Sequence, residues 1–260
     1  MHNQTNQAMI FAAGLGTRLR PLTDRMPKAL VPVGRKPLLQ HVIEKLARAG
    51  FTRIVVNVHH FAEQIIDFLS EHQNFGLDIS VSDEREMLLE TGGGIKKAIP
   101  LFDPERPVLI HNVDILSNID LAATYQAAAD SDALLVVSQR ETSRYLIFTP
   151  ERNLVGWTNI QTGEVRGPIA AQPTRPQLQE QDNTMRFAFS GIHVISPTLL
   201  ERMSNYPERF PIIDFYLQEC ATARIKALPL DNLRLLDVGK LNTLHEAQKF
   251  LADINNQSGL

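Results

Sequence analysis

"MIFAAGLGTRLRPLTDRMPK", residues 9–28, opens with a short apolar run, Met9-Ile10-Phe11, that reads as a first β-strand. The loop that follows carries Gly14 and Gly16, Pro21 and Pro27, and the cations Arg18, Arg20, Arg25 and Lys28, with no helical periodicity. It is too long for a tight turn and too basic for plain connection, so an anion is its expected occupant. Glycine directly after a strand lets backbone N–H groups approach phosphate oxygens closely. Arg18 adds a fork of donors and Lys28 a point charge. Two phosphate fingerprints are missing: no Gly-x-x-x-x-Gly-Lys-Ser/Thr occurs, and Leu19 stands where a dinucleotide loop needs its third glycine. By itself, Gly14-x-Gly16 fits a basic surface loop with two turn glycines better than a phosphate cradle.

Outward from that loop, strand and helix alternate. Apolar strand runs fall at 53–58, 77–83, 107–114 and 132–138, and helical spacing at 36–50, 61–72, 92–102 and 120–130. Strands separated by helices predict an α/β fold with a mostly parallel central sheet and helices on both faces. Past residue 140 the rhythm changes to two strands around a Pro-Glu-Arg-Asn turn. A polar, proline-bearing stretch at 167–184 reads as an exposed excursion, and an alternating strand follows at 185–196. Helices at 197–205 and 212–223, strands at 225–230 and 233–238, and a last helix at 241–251 complete the chain. With no repeat and no linker, residues 1–260 read as a single domain.

Composition sets the class of partner. The 260 residues are 43% hydrophobic and 21% charged, which is ordinary for a globular chain. A formal charge of −3 leaves no basic excess for a polyanion, so nucleic acid is not expected as a partner and the loop's positive charge is local. One cysteine, Cys220, rules out an internal disulfide framework, and its helical setting predicts a buried structural thiol. No apolar run approaches the ~18 residues of a spanning helix. The polar start "MHNQTNQ" has no signal-peptide core. A cytoplasmic protein with no membrane partner is expected; the oligomeric state is not legible.

The whole segment "AAGLGTRLRPLTDRMPKALVPVGRKPLLQH" resembles the amino-terminal signature of the sugar-phosphate nucleotidylyltransferases, with more than ten identities at set spacing. The resemblance continues in family order through "LLETGGGIKKAIPLF", "HNVDIL", "FSGIHVIS" and "LLDVG". Such enzymes join a nucleoside triphosphate to a sugar 1-phosphate and release pyrophosphate. "AAG" and "LETGGGI" are most similar to the short N-acetylmuramate 1-phosphate uridylyltransferases of cell-wall recycling, which lack a trailing β-helix. Short mannose, heptose and glucose 1-phosphate nucleotidylyltransferases are less similar alternatives. The resemblance implies a Rossmann-like nucleotide-diphospho-sugar transferase fold with a small mixed β extension on the sugar side. It makes 9–139 a nucleotide-binding half, 140–240 a sugar-phosphate-binding half and 241–251 a terminal helix. The implied substrates are UTP and N-acetylmuramate 1-phosphate, and the implied cofactor is Mg2+.

Residue by residue, the resemblance implies that Arg18 holds the triphosphate and that Lys28 lies between the α-phosphate and the sugar phosphate. It places Ala12, Ala13, Gly14, Gly16 and Thr17, with Thr91, Gly92 and Gly93, around the nucleotide. Asn112, Gly156, Ser190 and Gly191 would line the acceptor side. Asp114 and Asp237 each end a strand, where open α/β sheets bind ligands, and they match the family's metal-ligand aspartates. Two departures stand out. Trp157 interrupts the segment where many members carry Glu-Lys-Pro, and Val113 replaces the glycine before the first metal aspartate.

Several residues read as structural. Asp120 is placed as a helix cap. The adjacent His59-His60 lack zinc geometry, and Lys96-Lys97 fit a solvated helix face. A glycosyltransferase of related fold would want Asp-x-Asp, and "HNVDIL" has one aspartate. A catalytically silent sugar-nucleotide regulator should have lost Lys28 or an aspartate, and both aspartates and Lys28 are present.

Overall fold

A computed structural model describes residues 6–171 and 184–257. The opening apolar run forms β1 (Asn6–Phe11), which lies in the middle of the parallel part of the sheet. The basic loop ends in a two-residue hairpin, β2 (Pro32–Val33) and β3 (Lys36–Pro37). Helix α1 (Leu38–Arg48) follows because Leu38, Leu39, Val42, Ile43 and Leu46 make one continuous apolar stripe, and all five are buried. Each such side chain contributes about 1.5–3 kcal/mol on burial. Gly50, at φ 84°, takes the left-handed turn that releases the chain into β4 (Phe51–Val58).

Helix α2 (Ala62–Glu71), β5 (Asp78–Asp83), α3 (Glu90–Ala98) and β6 (Val108–Asn112) complete the first layer. β4 and β6 flank β1, and β5 lies outside β4, all parallel. Alternate residues of these strands enter opposite cores. Ala8, Ile10, Ile54 and Val56 pack with α1 and α2, whereas Met9, Val55 and Ile110 pack with α3 and the later helices. The expected α/β architecture with helices on both faces is therefore observed.

The sheet is mixed rather than purely parallel. After β7 (Ile115–Ser117), α4 (Leu121–Ala127) and β8 (Ala133–Ser138) come β9 (Arg144–Phe148), β10 (Leu154–Asn159) and β11 (Glu164–Arg166), an antiparallel meander. Strand β12 (Met185–Ile195) joins the two parts. Its start pairs antiparallel with β9, and its end lies antiparallel between β6 and β8. The pairing shifts register between Phe189 and His193, where Gly191 adopts φ 79°.

Helices α5 (Pro197–Arg202) and α6 (Ile212–Glu219) cover one face, and β13 (Ile225–Pro229) adds a parallel edge beside β8. β14 (Leu235–Asp237) pairs with β7. The last helix, α7 (Leu241–Gln257), runs past the expected end at 251, since its pattern continues to the buried Ile254. Of the expected excursion at 167–184, residues 168–171 form a short 3-10 turn and 172–183 lie outside the described residues. Among the described residues no helix is long and apolar enough to cross a membrane.

Candidate active site

The loop after β1 folds back on itself through three single 3-10 turns, Thr17–Leu19, Leu22–Asp24 and Lys28–Leu30. Two contacts hold it. Leu19 is fully buried, and the Thr23 hydroxyl donates to the Gly16 carbonyl at 2.8 Å. Gly16 has φ 64°, and a Cβ there would lie 2.9 Å from Thr23 Cγ2 and 3.0 Å from Lys28 Cβ. The close return of Lys28 under Gly16 thus requires glycine twice over. Thr17 and Arg18 remain exposed at the head of the first turn, while Lys28 is buried.

Lys28 Nζ pairs with Asp114 Oδ2. Asp114 lies in the link from β6 to β7, and β14 runs antiparallel to β7 with Asp237 opposite Ile115. Val238 N donates to the Asp114 carbonyl at 2.9 Å, which fixes the two aspartates side by side. The Asp237 carboxyl is pushed above its ordinary range, first by burial and then by the Asp114 charge, against the pull of Lys28, Arg18 and Arg140. Gly239 leaves room for this meeting, because a Cβ there would come within 2.6 Å of Asp237 Oδ1 and 2.8 Å of Arg18 Nη2. Arg18, Lys28, Asp114 and Asp237, drawn from three distant segments, therefore converge at one sheet edge. Paired hard-oxygen donors beside an open edge suit a magnesium ion that takes its other ligands from phosphates.

A cleft of about 280 Å3 adjoins this cluster, lined by Ala12, Ala13, Gly14, Lys28, Thr91, Asn112 and Asp114 together with Asn57, Glu84 and Glu90. Asn57 and Glu84 carried no sequence signal beyond a polar residue near a strand end. Asn57 Oδ1 accepts from Ala12 N at 2.7 Å and Ala13 N at 3.2 Å, and its amide donates to Glu84 Oε1 at 2.7 Å. Glu84 Oε2 accepts from Leu89 N at 3.3 Å, tying β4 to the head of α3. Burial raises the proton affinity of Glu84. Glu90 holds φ 62° at that helix head, an uncommon conformation for a side-chain-bearing residue.

Gly92 and Gly93, expected around the nucleotide, are not among the residues lining this cleft. Helix α3 begins at Glu90, so the glycines sit inside it, and both amides donate to the Phe210 carbonyl, at 2.8 and 3.1 Å. A Cβ on Gly92 would lie 2.3 Å from Phe210 Cε2, and one on Gly93 would lie 2.1 Å from the Glu208 carbonyl oxygen. The glycine run lets the 208–210 segment pack onto α3. Thr91 does face the cleft, and its hydroxyl accepts from Ile212 N at 2.9 Å.

On the acceptor side the expectations divide. Gly191 abuts Asn112, since a Cβ would meet Asn112 Nδ2 at 2.6 Å, and Asn112 lines the smaller cleft beside Asp114. Ser190 is 1% exposed, and its hydroxyl accepts from Ile192 N within its own strand at 3.1 Å. Gly156 is covered by Ile169, whose Cγ2 would lie 2.4 Å from an added Cβ. Ser190 and Gly156 therefore shape the backbone instead of lining a cleft. A second cleft of about 590 Å3 lies on this side, floored by Leu146, Trp157 and Phe189. Trp157 is 8% exposed beneath the Arg166 guanidinium, which sits 4.0 Å from the ring centroid.

Asp120 caps α4, accepting from Ala123 N at 2.9 Å. No group of three or more metal-ligating side chains forms among the described residues, at His59-His60 or elsewhere. Lys96 is not merely solvated, because its ammonium donates to the Tyr206 carbonyl. Cys220 is half-buried, and burial pushes its thiol up to about 11.

A family model described as nucleotidyl transferase matches residues 7–254. Over 244 residues the chain is 31% identical to an N-acetylmuramate alpha-1-phosphate uridylyltransferase of Neisseria meningitidis serogroup B, covering 93% of this chain and 96% of that one. Over 109 residues it is 50% identical to a Caulobacter vibrioides protein of the same description, covering 41% and 45%. Among solved structures, HddC from Yersinia pseudotuberculosis complexed with GMP-PN superposes with a TM-score of 0.72 at 21% identity, covering 95% of this chain and 100% of that one. The chain belongs to the nucleotidyl transferase family and is a sugar-phosphate nucleotidyltransferase.

Proposed function

We propose that the chain transfers a uridylyl group from UTP to N-acetylmuramate 1-phosphate, giving UDP-N-acetylmuramate and pyrophosphate for cell-wall metabolism. The convergence of Arg18, Lys28, Asp114 and Asp237 carries the chemistry, and similarity along almost the full length of the Neisseria meningitidis relative supports the substrates. A sugar-phosphate oxygen attacks the α-phosphorus in line, the P–O bond to the β-phosphate breaks, and the electron pair leaves on pyrophosphate. Two anions must approach, so charge neutralisation and positioning dominate the barrier. Lys28, held by Asp114, presents its ammonium between the two reacting phosphates. Arg18, exposed at the loop head, steadies the leaving pyrophosphate. Asp114 and Asp237 would hold magnesium, which supplies further neutralisation of the triphosphate when bound. Gly14, open on its exposed side, and Thr91 border the base and ribose.

Pyrophosphate release, measured with UTP, GTP, dTTP and CTP against a panel of sugar 1-phosphates, tests this reading. UTP with N-acetylmuramate 1-phosphate should give the highest kcat/KM. A preference above about tenfold for GTP with mannose or heptose 1-phosphate would replace the uridylyl reading and leave the reaction class in place.

A further inference from the structure

The 590 Å3 cleft holds more positive charge than its own carboxylates neutralise. Arg140, Arg144 and Arg166 line it, together with Glu164 and Asp214. Arg166 engages both acids, Asp214 through Nη1 and Glu164 through Nε at 3.4 Å, and its guanidinium lies over Trp157. That leaves two guanidinium groups without a carboxylate among the described residues. Arg140 is anchored, since Nη2 donates to the Phe189 carbonyl at 3.1 Å, and its charge is felt at Asp237. It therefore marks the end of the cleft nearer Asp237. Arg144 begins β9 opposite Asn159, two residues before Leu146, which pairs with Trp157. It is exposed, and its guanidinium makes no hydrogen bond or ion pair among the described residues.

We propose that Arg144 is the specificity-determining residue for the acceptor and binds a carboxylate carried by the sugar, apart from its 1-phosphate. The proposal rests on the uridylyl reading above, whose acceptor carries a lactyl ether carboxylate on the pyranose. An apolar floor takes the ring, Arg140 stands toward the phosphate, and the free planar fork of Arg144 matches a carboxylate in bidentate fashion. A neutral sugar at the same place leaves that guanidinium unpaired and gains nothing from it.

The test compares N-acetylmuramate 1-phosphate with N-acetylglucosamine 1-phosphate, the same ring without the lactyl acid, at saturating UTP. The wild-type enzyme should favour the acid by about 10- to 100-fold in kcat/KM, the scale of one charge-assisted hydrogen bond to a charged group. Arg144→Ala should raise KM for N-acetylmuramate 1-phosphate by about 10- to 100-fold, as expected for a lost charge-assisted hydrogen bond. KM for N-acetylglucosamine 1-phosphate and for UTP should stay within about twofold, and Arg144→Lys should restore part of the loss. Equal KM increases for both acceptors would assign Arg144 to the phosphate and overturn the proposal. No change for either acceptor would overturn it as well. If the wild-type enzyme prefers another sugar 1-phosphate, the assignment of N-acetylmuramate 1-phosphate as acceptor fails separately. A neutral favourite then sinks the carboxylate claim too, whereas glucuronate 1-phosphate with the same Arg144→Ala dependence sustains it.

Discussion

Asn57→Ala is the sharpest test of how the nucleotide side of the cleft is built. The wild-type amide satisfies three partners at once: Ala12 N at 2.7 Å, Ala13 N at 3.2 Å and Glu84 Oε1 at 2.7 Å. Ala12 is 2% exposed and Glu84 1%, so truncation strands a buried donor and a buried carboxylate oxygen. The Ala13 amide, at the longest of the three distances, contributes least. Two stranded groups at about 1–3 kcal/mol each give an expected loss of about 3 kcal/mol in folding stability. KM for the nucleotide should rise in parallel, because the 12–14 backbone loses its anchor to β4. Urea titrations followed by Trp157 fluorescence and far-UV circular dichroism give the first number, and initial rates give the second. A loss below about 1 kcal/mol with unchanged KM would refute the argument, since the amide would then hold nothing that water cannot hold. Asn57→Asp separates charge from cavity. It keeps an acceptor for both amides but sets a second carboxylate against Glu84, whose proton affinity burial already raises. The folded variant must retain a proton that the unfolded chain releases. Relative to wild type, its stability should therefore be least impaired at low pH, and the deficit should grow as pH rises above the ordinary carboxylate range.

Asp237→Asn should abolish most turnover and weaken magnesium activation while leaving the urea midpoint nearly unchanged; full activity in EDTA would remove the metal assignment. Arg18→Ala should lower kcat by about 10²–10³, as for loss of one preorganised charge-stabilising donor. Arg20→Ala, which breaks only an exposed pair with Asp24, should cost much less, and equal losses would mean the loop acts as a diffuse positive field. His111 and His193 are fully buried, and burial pushes both down to about 3. The unfolded chain protonates them near the ordinary value while the native chain does not. Stability complete above about pH 6.5 should thus fall by up to about 1.4 kcal/mol per pH unit for each histidine as pH drops toward 3, and urea midpoints that stay flat from pH 6 to 4 would contradict this.

What the sequence disclosed follows the range of the forces involved. The strands and α1 are legible because apolar periodicity is local, and Arg18, Lys28, Asp114 and Asp237 are legible because a signature fixes them. The packing role of the glycine run is hidden for the converse reason. A tripeptide at a helix head looks like a phosphate cradle, and only the 208–210 segment, over a hundred residues later, reveals that Gly92 and Gly93 serve packing. The cover over Gly156 is hidden likewise, since Ile169 reaches it from a later turn. Asn57 and Glu84 are silent in sequence because a buried hydrogen-bonded pair has no period and no motif. Strand β12 turns antiparallel between β6 and β8 through a bulge at Gly191, a choice set by cross-strand pairing that alternation alone does not encode.

The continuity of β12 also constrains how the molecule can move and how it can be cut. One unbroken backbone pairs with the antiparallel meander at Met185–Phe187 and with the parallel sheet at Ile192–Ile195. Closing one side of the cleft on the other must then bend a shared strand, with the bulge at Gly191 as its most compliant point, in place of a swing about a linker. Severing the chain between β8 and β9 would leave the amino-terminal fragment with the bare edges of β6 and β8, a template for self-association. The meander and the parallel sheet are in this sense inseparable, and a stable fragment of either is not to be expected from this architecture.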